Sequence, residues 1–350
     1  MIHHKKLLPA WLIVLIDILI IAAYAIGFYG IYYLTPRQLE SSGVKTVQEE
    51  SVQEETVQEE TASAAPEKET VTSVGTSANS SVIAAETTNT SENLETKFAD
   101  HFTDTVVSTK DSYSSKNISL TLDKYTEGSG ANIITYYVAD IYVSNIKCLQ
   151  SGFADDTYGI GYTENVLSMD ESLNAVLAMN GDYYGNGGTG VVIRNGEVYR
   201  STTSDSDVCV LYYDGTMKTF SAQEFDVDQA IADGAWQAWC FGPELLDDTG
   251  SSKTDFTTDG HVKEVNPRSA IGYYEPGHYC LVVVDGRQSG YSEGMSLSQL
   301  SGLFEKLGCT SAYNMDGGKS SAMTFDDAVV NQPCDGGREV SDCILIKEVE

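Results

Sequence analysis

The chain has 350 residues, enough for one large or two ordinary domains, and a formal net charge of −30 from 51 acidic against 21 basic residues. Such a surface repels nucleic acid and anionic headgroups, so DNA and RNA are excluded as partners. Seven cysteines, none in a C-x-x-C pair, give no zinc-ribbon signature.

Leu7 to Leu34 is almost wholly apolar, with Asp17 as its one charge. Those residues would reach about 42 Å as a helix, against a hydrocarbon core of about 30 Å. Trp11 at one end and Tyr29, Tyr32 and Tyr33 at the other suit membrane interfaces, and Lys5 and Lys6 precede the span. Residues 1–36 therefore read as a cytoplasmic tip and a single-pass anchor, with the remainder extracytoplasmic. A cleaved signal peptide ending near Ala23-Tyr24-Ala25 is the competing reading, but the apolar run exceeds the usual h-region.

Residues 37–97 change character. Thr46–Glu60 is three copies of TVQEE or SVQEE, followed by Ser, Thr, Ala and Glu. A period of five builds no apolar helix face, and so few large apolar groups do not offset ordering entropy. This segment reads as a disordered acidic tether.

Residues 98–350 are a run of short apolar or alternating segments. Ile133–Val143, Val191–Arg194, Val198–Arg200, Val208–Tyr213, Met217–Phe220 and Tyr279–Val284 read as strands. Asn195-Gly196 and Asp214-Gly215 are two-residue hairpin turns, and Glu275-Pro276-Gly277-His278 a longer reversal. A capping box at Ser296–Gln299 and Gly308 at the far end bracket a helix. A weaker helix is expected over Glu171–Val176. The expected fold is α+β, with a mainly antiparallel or mixed sheet core and few helices.

Two familiar patterns fail on context. Gly185–Gly190 matches G-x-G-x-x-G but leads into a hairpin, where a dinucleotide site needs a helix. Gly318-Lys319-Ser320 resembles the end of a P-loop, but Tyr313 stands where its first glycine belongs. The three histidines of this region, His101, His261 and His278, show no metal-binding helical spacing. Chemistry here must use carboxylates, amides and arginines. These gather at strand ends beside glycine in Asn180-Gly181-Asp182, Asp285-Gly286-Arg287 and Asn314-Met315-Asp316-Gly317-Gly318, with Arg268 heading a further strand.

Taken in order, Asn180–Tyr184, Arg268–Gly272, Asp285–Arg287, Met295–Gly308, Asn314–Ser321, Asn331-Gln332-Pro333 and Arg338-Glu339-Val340 resemble the phosphodiester glycosidase family over roughly residues 130–347. The resemblance implies hydrolysis of sugar-1-phosphodiesters in sugar-phosphate glycoconjugates or surface polysaccharide. It implies Asp316 and Asp182 as nucleophile or base, with Asp285 in reserve, and Arg268 and Arg287 on the phosphate. Asn180, Asn314, Ser320, Ser321 and the backbone of Gly317 and Gly318 would bind substrate. Lys319 departs from the family, which mostly has a third glycine there. No cofactor is required; a Ca²⁺ bridging the acidic domain to an anionic substrate is the one candidate. A non-catalytic glycan-binding or exopolysaccharide-assembly module is the competing function. Cys334 and Cys343 are the best-placed disulfide pair by proximity in sequence.

Overall fold

The computed structural model describes residues 10–30, 35–46 and 94–349. At the N-terminal end a helix runs Ala10–Tyr29. Among the described residues no helix is long and apolar enough to cross a membrane; residues 7–9 and 31–34 of the expected span lie outside them.

Among the described residues three large antiparallel sheets build the domain, with a two-stranded one beside them. The largest has seven strands, in the order Ser311–Asn314, Arg268–Glu275, His278–Val284, Ile134–Val143, Ile118–Glu127, Ser112–Ser114 and Val107–Ser108. A six-stranded sheet runs Met217–Phe220, Val208–Tyr212, Ala235–Trp239, Val191–Arg194, Glu197–Ser201 and Val44–Lys45. A five-stranded sheet runs Ala328–Val329, Met323–Phe325, Leu177–Asn180, Asp342–Ile346 and Leu149–Phe153.

The expected turns close as hairpins, though the one at Asp214-Gly215 has three residues between Tyr212 and Thr216 where two are expected. Arg194 pairs with Glu197 across Asn195-Gly196, whose φ angles of 54° and 76° give the twist that a two-residue turn needs. Glu275 pairs with His278 across the Pro276-Gly277 reversal. The capped helix covers Leu297–Leu307, with its capping box formed and Gly308 left-handed at φ 85°. The weaker helix lies earlier than expected, over Val166–Leu173. Left-handed Asn174 stops it, and Leu177–Asn180 then enters the sheet.

Packing explains the sequence pattern of the central strands. One face of the seven-stranded sheet (Ile141, Ile271, Leu281, Val283, Tyr313) meets Met179, Ile344, Trp236 and Trp239 of the other sheets in a shared core. The opposite face (Val138, Ala270, Val282, Val284) is covered by Leu297, Leu300 and Phe304 of the capped helix. A strand covered on both faces has no solvent side, hence the unbroken apolar run Tyr279–Val284.

The N-terminal end of the expected tether is part of the domain. Arg37–Gln38 pairs with Gly159–Ile160, and Val44–Lys45 pairs with Glu197 and Val198 at the edge of the six-stranded sheet. Leu39 packs on a cluster of Phe153, Tyr158, Tyr184 and Tyr199, and buried Thr46 donates to Ala235 O at 2.7 Å. Composition alone hides this docking, because two short edge strands with one apolar anchor read as polar linker. Residues 47–93 of the expected tether, with most of the repeat, lie outside the described residues, while its last four, Leu94–Lys97, form a short helix with Leu94 buried.

Candidate functional site

Register brings the polar strand ends to one edge. Arg268 lies opposite Val284, just before Asp285, and Ala270 lies opposite Asn314, just before Met315-Asp316. In the five-stranded sheet Asn180 lies opposite Cys343, which sets Gly181-Asp182 beside Asp342. Two loops cross between the sheets: Asn180 Nδ2 donates to Asp316 O at 2.7 Å, and Asp316 N donates to Gly181 O at 3.3 Å. A side chain on Gly181 would collide with the Asp342 carboxylate, its Cβ falling 2.5 Å from Oδ1.

Beneath these loops sits a fully buried ionic group. Arg194 Nη2 lies 3.0 Å from Asp182 Oδ2 and 2.8 Å from Asp342 Oδ2, and its Nε lies 3.0 Å from the latter. Its Nη1 donates to the carbonyls of Ile193 and Ala238. Asp182 also accepts from Tyr184 N and Cys240 N, each at 3.0 Å. Two carboxylates share one guanidinium away from water, so the group carries one negative charge too many. Burial, reinforced by Asp182 and Asp316, raises the pKa of Asp342 against the pull of Arg194. Its Oδ1 has no hydrogen-bond partner.

Asp316 stands nearer the surface. Ser320 Oγ donates to its Oδ2 at 2.6 Å and Arg338 Nη2 at 2.5 Å, while Arg338 Nε reaches Ser320 Oγ at 2.5 Å. Arg338 also covers the half-exposed ring of Tyr183, 5.1 Å from its centroid. Burial raises the Asp316 pKa despite the opposing Ser320 and Arg338 contacts. Beside it, Gly318 is left-handed at φ 68°, and a Cβ there would lie 3.3 Å from Arg287 Nη1. Arg287 is thus laid over the glycine loop and exposed to solvent. It too is left-handed, at φ 58°, a conformation that costs a side-chain-bearing residue about 1–2 kcal/mol. Among the described residues no carboxylate pairs with it; Nε and Nη2 donate to Asn266 Oδ1 at 3.2 and 2.6 Å. Lys319, at 2.8 Å, binds Asp335.

Several expected ligands take other positions. Arg268 is 2% exposed and its Nε and Nη2 donate to the carbonyls of Met295 and Glu264, so it braces two loops. Burial, then Arg287, lowers its pKa to about 10. Asp285 is a clamp: it accepts from Tyr291 Oη at 2.8 Å, Asn331 Nδ2 at 2.9 Å and Gln332 N. Asn180 and Asn314 are buried, with their amides committed to backbone carbonyls of Asp316 and Gly242. Ser320 serves Asp316, and Ser321 is buried with its Oγ unpartnered. Gly317 lies close under Pro267, whose carbonyl receives the N–H of Gly318 at 3.0 Å. Among the described residues no three His, Cys, Asp or Glu side chains gather to hold a metal, so the Ca²⁺ expectation finds no carboxylate cluster. Cys334 and Cys343 are both free thiols, and Cys343 Sγ faces Gly152 O at 3.7 Å.

Fold and loop chemistry together define a strand-rich α+β domain whose site is built from aspartates and arginines at sheet ends. The chain belongs to the phosphodiester glycosidase family, whose model matches residues 173–347. It is 32% identical over 196 residues to the SPbeta prophage-derived uncharacterized protein YomE of Bacillus subtilis (strain 168). That match covers 54% of this chain and 30% of YomE, so the chain spans under a third of that relative's length. In fold it is similar to the catalytic domain of zebrafish N-acetylglucosamine-1-phosphodiester alpha-N-acetylglucosaminidase, in a structure described as auto-inhibited by its pro-peptide. The TM-score is 0.54 at 19% identity, over 66% of this chain and 84% of that one.

Proposed function

We propose that the domain hydrolyses the bond between an anomeric carbon and a phosphodiester oxygen in sugar-phosphate glycoconjugates. The observation that carries the reading is the Asp316–Ser320–Arg338 group on the loop whose Gly318 lies against Arg287, a cation with no carboxylate partner among the described residues. A phosphate leaving group carries its own negative charge, so the site needs a cation for it more than an acid. Arg287, laid over Gly318, takes the phosphate oxygens. Asp316 as carboxylate serves the oxocarbenium-like centre or draws a proton from water. Arg338 and Ser320 hold that carboxylate in one orientation, and the buried Asp182–Arg194–Asp342 group keeps the loop beneath it rigid.

The N-terminal segment is the proposed anchor, with the domain extracytoplasmic. The support is the apolar run Leu7–Leu34 and the exposed apolar side chains of its helix, among them Ile20, Ile21 and Ile26.

The test is turnover of a panel of sugar-1-phosphodiesters by wild type and Asp316→Asn, with thermal unfolding alongside. The substitution keeps shape and should remove at least about 10²-fold of the rate. Because burial raises the Asp316 pKa and the carboxylate is the working form, the rate should rise with pH through a limb above the ordinary aspartate range near 3.9. A folded Asp316→Asn protein with near-wild-type turnover sinks the assignment. Glycan binding by a wild type that turns over no substrate makes the domain a binding module.

A further inference from the structure

We propose that Cys280 and Cys309 are joined by a disulfide when the domain folds in an oxidising milieu. Their sulfurs face each other 3.7 Å apart in the interior, Cys280 on the strand His278–Val284 and Cys309 just beyond the capped helix. The other thiols with named contacts are turned elsewhere: Cys148 to Asn117 O, Cys240 to Ser204 Oγ, Cys343 to Gly152 O.

A disulfide needs its sulfurs about 2.05 Å apart. The remaining approach of about 1.7 Å would come from rotation of the two side chains, whose sulfurs meet over Gly272. Gly272, paired with Cys280 across the ladder, would place a Cβ 2.7 Å from Cys280 Sγ, 2.7 Å from Phe304 Cε1 and 2.8 Å from Cys309 Sγ. Any side chain at 272 would wedge into the sulfur pair. The glycine closing Arg268–Gly272 thus has a local reason that owes nothing to substrate.

The reaction is thiol–disulfide exchange with an external small-molecule disulfide. One protein thiolate attacks and releases one external thiol; the second protein thiol then attacks the mixed disulfide and releases the other. Two thiols are oxidised, one external disulfide is reduced to two thiols, and two protons pass to and from sulfur without further reagents. Both cysteines are buried, so the exchange belongs to the folding chain, before strand and helix close over the sulfurs. The crosslink would fasten both ends of a segment 29 residues apart, which carries Asp285, Arg287 and the capped helix.

The full chain is reduced and unfolded, refolded with reduced and oxidised glutathione, alkylated, and digested with trypsin without reduction. The expected product is peptide 269–287 linked to peptide 307–319, each carrying one cysteine. The oxidised protein should melt on the order of 5–10 °C above the same protein in reductant. Cys309→Ala and Cys280→Ala should each abolish both the linked peptide and the reductant-dependent shift. Recovery of both peptides singly alkylated from natively refolded protein overturns the proposal, as does a linkage to any other cysteine.

Discussion

Replacing Arg194 with methionine removes the charge that two buried carboxylates share while keeping an unbranched apolar stem beside Trp239, whose ring centroid lies 5.8 Å from the guanidinium carbon. Asp342 loses both of its contacts to Arg194, at 3.0 and 2.8 Å, and Asp182 loses one at 3.0 Å while keeping the N–H groups of Tyr184 and Cys240. Breaking a buried ion pair from one side costs about 3–5 kcal/mol. In a domain of this size each kcal/mol lowers Tm by about 2–4 °C, so Arg194→Met should melt roughly 6–20 °C below wild type at pH 7. The sign with pH follows from the carboxylates. Burial already raises Asp342, and without the pull of Arg194 it rises further, so the variant gains stability relative to wild type as pH falls and Asp342 takes up its proton. Adding Asp342→Asn should recover part of the loss at pH 7. Thermal unfolding of the three proteins from pH 4 to 8 measures this. A melting point for Arg194→Met within about 2 °C of wild type at pH 7, or a deficit that grows toward acid, refutes the charge argument.

Arg287→Ala should cut turnover of a sugar-1-phosphodiester by about 10²-fold or more, with Tm nearly unchanged because the guanidinium is exposed. A Tm loss of several degrees would instead make Arg287 a loop brace. Asp170, buried in the helix Val166–Leu173 with Oδ1 unpartnered, has its pKa pushed up to about 6 by burial. A raised carboxyl stabilises the fold below its unfolded pKa and loses that contribution as pH rises through about 6. Asp170→Asn should therefore raise stability by about 2–3 kcal/mol at pH 7.5 and by little at pH 4, as denaturant unfolding at the two pH values will show. Lys319→Gly, which restores the commoner family residue, frees Asp335 and should weaken binding of the anionic substrate, read as a higher KM if the lysine assists Arg287.

Local chemistry made much of this fold readable. Turn dipeptides such as Asn195-Gly196 require left-handed backbone, and the Ser296–Gln299 capping box satisfies N–H groups within one turn, so neither depends on distant residues. The site was legible as loops but less so as roles. Asp182, Asp285 and Asp316 all stand beside glycine at strand ends, and only the tertiary structure separates a carboxylate paired with Arg194 from a loop clamp and from one paired with Arg338. Arg194 and Asp342 were missed because each ends or begins an apolar strand singly; strand order, not spacing, unites them. Arg338 stood in a recognised motif without a role, since its partners Asp316 and Ser320 lie 22 and 18 residues earlier. Arg268 was read as a ligand, yet the strand it opens turns it toward the carbonyls of Met295 and Glu264.

The docking of residues 37–46 alters what the repeat-bearing stretch is in topological terms. The residues flanking the repeat-bearing stretch both belong to the domain: Thr46 bonds to Ala235 O, and Leu94 is buried. In sequence only residues 30–36 separate the helix Ala10–Tyr29 from the strand Arg37–Gln38, so the first attachment to the domain precedes every TVQEE copy. A single protease cut between residues 47 and 93 would leave the two pieces joined by strand pairing at Val44–Lys45 and Arg37–Gln38, as a nicked chain that separates only when that pairing opens.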